Sequence, residues 1–83
     1  MTTIRKLKER FKTLPSDFTF DELVRVFASA GFILDNKGAT SGSRARFRRG
    51  NNVYCLHRPH PGSIVKRGVL KDVYAYLNNL IEL

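Results

Sequence analysis

Apolar residues recur at two different spacings along the chain, and the change of spacing predicts the order of its elements. Between residues 20 and 30 they lie three and four positions apart, which is the spacing of one face of an α-helix. From Phe32 the period becomes two, with Phe32 and Leu34 alternating with Ile33 and Asp35, and from Arg44 to Arg48 apolar and polar residues alternate strictly, as they do in strands. Beyond residue 66 the helical spacing returns, in an apolar face made of Val69 or Leu70, Val73, Tyr74, Leu77 and Leu80 or Ile81.

Short polar motifs mark the ends of these elements. Thr19 followed by Glu22 is a capping box, and Gly31 stands where a left-handed cap would end the helix over residues 20–30. Residues 50–52 (Gly-Asn-Asn) predict a tight turn between the strand at residues 44–48 and a further strand at residues 53–57. The segments 37–43 and 58–66 are rich in polar residues, glycine or proline, and are predicted to be loops.

The first 18 residues form a separate segment in this interpretation. Ile4, Leu7 and Phe11 have helical spacing, and basic residues surround them. We expect residues 1–18 to be a basic amphipathic helix, or a solvated arm that orders only on a partner, and residues 19–83 to be the main domain.

The element order predicts an α+β fold. Two helices, three strands and a helix form a three-stranded antiparallel sheet with helices packed on one face. Ala45 and Phe47 would point toward the helices, while Arg44, Arg46 and Arg48 would project from the other, open face.

Charge gives the strongest indication of function. The chain has 83 residues and a net charge of +8. Such a charge attracts polyanions. The alternative is that the charge only keeps the protein soluble. The charge is concentrated between Asn36 and Lys71, a stretch that has no Asp or Glu and that contains Lys37, Arg44, Arg46, Arg48, Arg49, Arg58, Lys66, Arg67 and Lys71.

Other features exclude several classes of protein. A single cysteine, Cys55, rules out an internal disulfide and is expected to be packed within its strand. No apolar run is long enough to span a membrane, and we expect a cytoplasmic protein without membrane contact. No phosphate-loop, dinucleotide or metal-ligand motif is present, so we expect neither a cofactor nor a metal.

Arginines on one strand face suit a nucleic-acid backbone. Alternate residues of a strand lie roughly 6–7 Å apart, close to the spacing of phosphates along a strand (roughly 6–7 Å). The alternative is an edge strand that charge protects from aggregation. Lys66 and Lys71 lie near the start of the last helix, where backbone N–H groups favour phosphate.

His57 and His60 are the residues suited to proton transfer near neutral pH. Cleavage of RNA by its 2′-hydroxyl needs a base for that hydroxyl and an acid for the leaving oxygen. Each histidine can equally be an ordinary surface residue, and the two alone do not make a metal site.

The chain resembles the HicA family, the toxins of type II HicA–HicB toxin–antitoxin pairs, from about residue 19 to its C-terminus. Several short motifs carry the resemblance: residues 30–32 (Ala-Gly-Phe), Gly42-Ser43 followed by a strand with Phe47, residues 59–61 (Pro-His-Pro), and residues 66–70 (Lys-Arg-Gly-Val-Leu). The resemblance implies a fold like that of double-stranded-RNA-binding domains, endoribonuclease activity on messenger RNA, and inhibition by a HicB-like antitoxin.

The resemblance also implies roles for individual residues. Members of the family usually carry a catalytic histidine directly after the Gly-Ser pair, and here that position is Arg44. We expect catalytic roles for Arg44, His57 and His60, and RNA contacts from Ser43, Arg44, Arg46, Arg48, Arg58, Lys66 and Lys71. Because arginine cannot act as a general base, either His57 or His60 supplies the proton transfer, or this member binds RNA with weak or no cleavage. A third class of function is an adaptor whose basic face binds only an acidic protein.

Overall fold

Three helices and three strands make up the protein in the computed structural model, which describes residues 4–35, 44–59 and 62–81. Along the chain they are α1 (Ile4–Lys12), α2 (Phe20–Ser29), β1 (Ile33–Leu34), β2 (Arg44–Arg49), β3 (Asn52–His57) and α3 (Arg67–Ile81). The strands form one antiparallel sheet in the order β1-β2-β3. This confirms the predicted α+β fold with an added N-terminal helix. Among the described residues, no helix has the length and apolar character needed to cross a membrane.

Helix α2 begins and ends at the residues that its flanking motifs indicate. The Thr19 hydroxyl accepts a hydrogen bond from the Glu22 N–H at 3.2 Å, and the Thr19 N–H donates to the Glu22 carboxylate at 2.9 Å. At the other end Gly31 has a φ of +91°, which an L-residue rarely adopts. The helix therefore stops at Ser29, with Ala30 as its cap.

The sheet places its apolar and basic side chains on opposite faces. In β2, Ala45 and Phe47 are fully buried, and the Phe27 ring of α2 stacks on Phe47 with centroids 4.0 Å apart. Arg49 and Asn52 form the last register pair of β2 and β3. The turn between them contains Gly50, whose φ is +57°. The alternation of β2 thus leaves Arg44, Arg46 and Arg48 on the face away from the helices.

Helix α1 is part of the core. Leu7 is 3% exposed and Phe11 is fully buried, and the Phe11 ring meets the edge of Tyr74 in α3 at 5.9 Å. These contacts support the predicted amphipathic helix and not the solvated arm. Residues on both sides of position 18 share one hydrophobic cluster.

Two backbone contacts hold the segment before α3 against the start of α2. The Phe20 N–H donates to the Ser63 carbonyl, and the Val65 N–H donates to the Phe18 carbonyl, both at 2.8 Å. Ile64 lies between them and forms an antiparallel bridge with Thr19. The chain that enters α3 is therefore fixed against the start of α2.

Candidate functional site

The open face of the sheet carries a row of arginines along its central strand. We call Arg44, Arg46 and Arg48 the arginine row; all three are exposed. Their register partners share the same face: Val53 and Ile33 beside Arg48, Cys55 beside Arg46, and His57 beside Arg44. The predicted exposure of the row is confirmed.

One carboxylate, that of Asp35, lies beside the arginine row. Asp35 precedes the acid-free stretch of the sequence, so that stretch gave no indication of a counter-charge here. The Asp35 N–H donates to the Arg46 carbonyl at 2.7 Å, which extends the β1–β2 pairing by one residue. The Asp35 carboxylate is only 8% exposed and lies 3.8 Å from the Arg46 guanidinium and 3.7 Å from that of Arg48. Two of the three arginines therefore have a counter-charge, while Arg44 makes no salt bridge within the described part of the chain.

Arg44 lies at the end of the row next to a cleft. His57, its register partner, lines this cleft of about 600 Å³ together with Arg58, Pro59, Ile64, Val65, Lys66 and Val69. The fold thus brings together four residues that the sequence analysis selected: Arg44, His57, Arg58 and Lys66. The sheet supplies the first two, and the segments that follow β3 and precede α3 supply the others.

Arg58 has a structural function in addition to its charge. Its Nη1 donates to the Arg44 carbonyl at 3.2 Å, and its guanidinium lies over the Phe20 ring at 5.7 Å. Such a cation–π contact restricts the orientation of the side chain. Arg58 therefore supports the start of β2 as well as lining the cleft.

The three cations near the start of α3 lie in different surroundings. The Lys66 carbonyl accepts the N–H of Leu70 at 3.1 Å, so Lys66 stands at the helix start. Arg67 turns away and donates from Nε to the Leu14 carbonyl at 2.8 Å, where Leu14 has a φ of +52°. Lys71 is exposed, but it lies two residues beyond the cleft residue Val69 and hence about 200° around the helix, so the structure does not bring it into the cleft.

A family model, described as the HicA toxin of bacterial toxin–antitoxin, matches residues 20–78. The chain belongs to the HicA toxin family. The match covers most of the chain and includes α2, the sheet, the cleft and most of α3, so the resemblance read from the short motifs is confirmed. Neither curated proteins nor solved structures gave a match.

The HicA match begins after α1, although α1 contributes to the core of this protein. Two residues that the HicA resemblance selected, Ser43 and His60, lie outside the described residues, as does Lys37. Within residues 4–35, 44–59 and 62–81, no group of three or more His, Cys, Asp or Glu side chains could hold a metal ion.

Cys55 lies in the predicted strand but is not packed there. The prediction of a packed thiol was wrong, because Cys55 is exposed. It pairs with Arg46 across the hairpin, and residues directly opposite in an antiparallel pair share a face. The pairing of Cys55 with the exposed Arg46 could have indicated that the thiol is exposed.

Proposed function

We propose that this HicA-family protein is the toxin of a toxin–antitoxin pair, and that it binds RNA on the open sheet face and cleaves it with its own side chains. One observation carries the proposal: Arg44, which has no carboxylate partner among the described residues, is the register partner of His57 at the mouth of the cleft. In this arrangement Arg44 can bind a phosphate, and His57 beside it can transfer a proton.

The arginine row supports binding. Its side chains leave the strand roughly 6–7 Å apart, which fits successive phosphates of one RNA strand. The planar guanidinium of arginine can donate two parallel hydrogen bonds to a phosphate. Lys66 at the start of α3 extends this positive surface across the cleft.

The pair of Arg44 and His57 suits cleavage through the 2′-hydroxyl of RNA. The 2′-oxygen attacks the adjacent phosphorus, and the bond from phosphorus to the 5′-oxygen breaks. His57 accepts the proton of the 2′-hydroxyl, and a solvent water gives a proton to the departing 5′-oxygen; the hydroxide so formed takes the proton back from His57, and the products carry a 2′,3′-cyclic phosphate and a 5′-hydroxyl. Arg44 stays protonated and donates hydrogen bonds to the charged oxygens of the phosphate.

The partner in this proposal is a HicB-like antitoxin, and the pair acts in the cytoplasm. The net charge of +8 and the exposed arginines favour an acidic partner surface. An antitoxin that covers the arginine row would block the access of RNA to His57.

The direct experiment is incubation of the purified protein with a labelled RNA in excess chelator. We expect fragments that end in a 2′,3′-cyclic phosphate, and growth arrest when the protein is expressed without an antitoxin. RNA that stays intact, together with normal growth, would contradict the cleavage step.

A second candidate is an RNA-binding protein that does not cleave. It is favoured by Arg44, since members of the family that the chain resembles usually carry a histidine there. This alternative predicts salt-dependent RNA binding with no RNA fragments at any concentration of the protein.

A further inference from the structure

Ile64 has an exposed side chain on a backbone that hydrogen bonds hold on both sides. The side chain is 46% exposed at the rim of the cleft. The hydrogen bonds of the neighbouring Ser63 and Val65 to the start of α2 fix the backbone on both sides of it. The fold therefore holds a large aliphatic group in place although it buries little of it.

The cleft beside Ile64 has walls of two kinds. Pro59, Ile64 and Val69 are apolar, while Arg58 and Lys66 carry positive charge and His57 is polar. Phosphate alone would need only the second group. Apolar walls beside cations fit a ligand that has a flat apolar part next to an anion, which is the chemistry of a nucleotide.

We propose that this cleft holds an unpaired nucleobase of the RNA, packed against Ile64 and Val69, while the adjacent phosphate lies at Arg44. The inference rests on the proposed RNA binding and adds a base-binding subsite to it. Because Arg44 and the cleft meet at His57, the base and the phosphate next to it can be bound together. A base enters such a cleft only after it leaves its stack, and that costs least in single-stranded RNA.

The proposal makes single-stranded RNA the preferred ligand. Binding of duplex RNA by shape alone would use the arginine row and leave the cleft empty. An acidic segment of a partner protein is the other occupant that the cations would accept. If a base occupies the cleft, the apolar wall contributes to the affinity for RNA, and this contribution is absent for an oligomer without bases. An acidic protein segment would not give this difference.

The test compares Ile64→Ala with Ile4→Ala, measured by fluorescence anisotropy on the full chain. Ile4 is a matched control, because it is 44% exposed and lies on α1. The probes are a single-stranded oligoribonucleotide, an abasic oligomer with the same number of phosphates, and a duplex. We expect Ile64→Ala to weaken binding of the single-stranded RNA about fivefold and to leave binding of the abasic oligomer unchanged, while Ile4→Ala changes neither.

Each other outcome decides a different point. If the wild-type protein binds no RNA, the proposed function itself fails. If it binds RNA but binds the abasic oligomer or the duplex equally well, or if Ile64→Ala matches Ile4→Ala, only the base subsite is refuted. Melting temperatures check folding, and 2-aminopurine placed in the RNA gives a measurement on the wild-type protein alone: its fluorescence should change on binding, and an unchanged signal would refute the subsite.

Discussion

Arg44 and His57 are direct register partners across β2 and β3, and both side chains are exposed on the open face. Opposite residues of an antiparallel pair lie about 4.5–5.5 Å apart at Cα. The backbone pairing of the two strands therefore sets the distance between these two residues.

This arrangement predicts that binding and cleavage respond differently to the two residues. His57→Gln should lower the cleavage rate about 100-fold, because it removes the proton acceptor, and should change RNA affinity less than about twofold. Arg44→Ala should lower both the cleavage rate and the RNA affinity, because Arg44 contacts the phosphate in the bound state and in the reaction. Single-turnover kinetics and binding titrations separate the two effects, and a cleavage rate unaffected by His57→Gln would exclude His57 as the proton acceptor.

Asp35 should stabilise the fold by offsetting the repulsion between Arg46 and Arg48. Replacing its carboxylate with an amide in Asp35→Asn leaves Arg46 and Arg48 without this counter-charge, and we expect a loss of about 1 kcal/mol in the free energy of unfolding. High salt screens the repulsion, so the loss should shrink toward zero near 1 M salt. Urea unfolding at low and high salt measures this.

A control for Asp35→Asn is Glu9→Gln, which makes the same change of charge at an exposed site on α1. Its effect should stay within about 0.5 kcal/mol at both salt concentrations. Equal effects of the two substitutions would indicate general electrostatics and no specific role for Asp35.

Cys55 reports on the open face without any substitution. Its thiol is exposed beside Arg46, so a thiol reagent should modify the folded protein. RNA bound along the arginine row should slow this modification several-fold, because the bound strand covers the adjacent position. An unchanged rate at saturating RNA would place the RNA elsewhere. Mass spectrometry of the modified fraction over time gives both rates.

The ion pair at the start of α2 predicts a defined pH dependence of stability. The Glu22 carboxylate accepts hydrogen bonds from the Thr19 backbone and, at 2.7 Å, from Arg10. Burial raises the pKa of Glu22, but these hydrogen bonds and the charge of Arg10 outweigh it, so its pKa lies below the ordinary value of 4.5. The ionised form is therefore stabilised by folding.

A folded pKa below the unfolded one gives stability that is complete above about pH 4.5 and is lost as the pH falls through the folded value. Glu22→Gln should cost about 0.5–1 kcal/mol at pH 7, and this difference from the wild type should vanish in strong acid. Unfolding curves at pH 7, 4 and 2.5 measure it. A difference that is constant across these pH values would contradict the assigned ion pair.

Most of the fold could be predicted from the sequence, because its signals are local. The Thr19–Glu22 capping box, the left-handed Gly31 and the alternation in β2 each depend on a few neighbouring residues. The arginine row was predictable for the same reason, since strand periodicity alone decides which face its side chains occupy.

The rest of the site depends on contacts between distant parts of the chain. Asp35 stands one residue before the acid-free run, and it reaches Arg46 and Arg48 only because β1 pairs with β2. The contact of Arg67 with Leu14 joins residues 53 positions apart, so periodicity gave no sign of it. Ile64 could not be placed at a cleft before the bridge to Thr19 was known.

The central claim is that RNA binds the open sheet face through the arginine row. The most direct measurement is RNA affinity as a function of salt for the wild type, for a triple variant with Arg44, Arg46 and Arg48 changed to alanine, and for a control with Arg5, Lys12 and Arg25 changed to alanine. The control removes the same charge from exposed positions on α1 and α2. We predict that only the first variant loses at least tenfold in affinity and shows a salt slope shallower by about 2–3. Equal losses in both triple variants, or no loss in the first, would contradict the account.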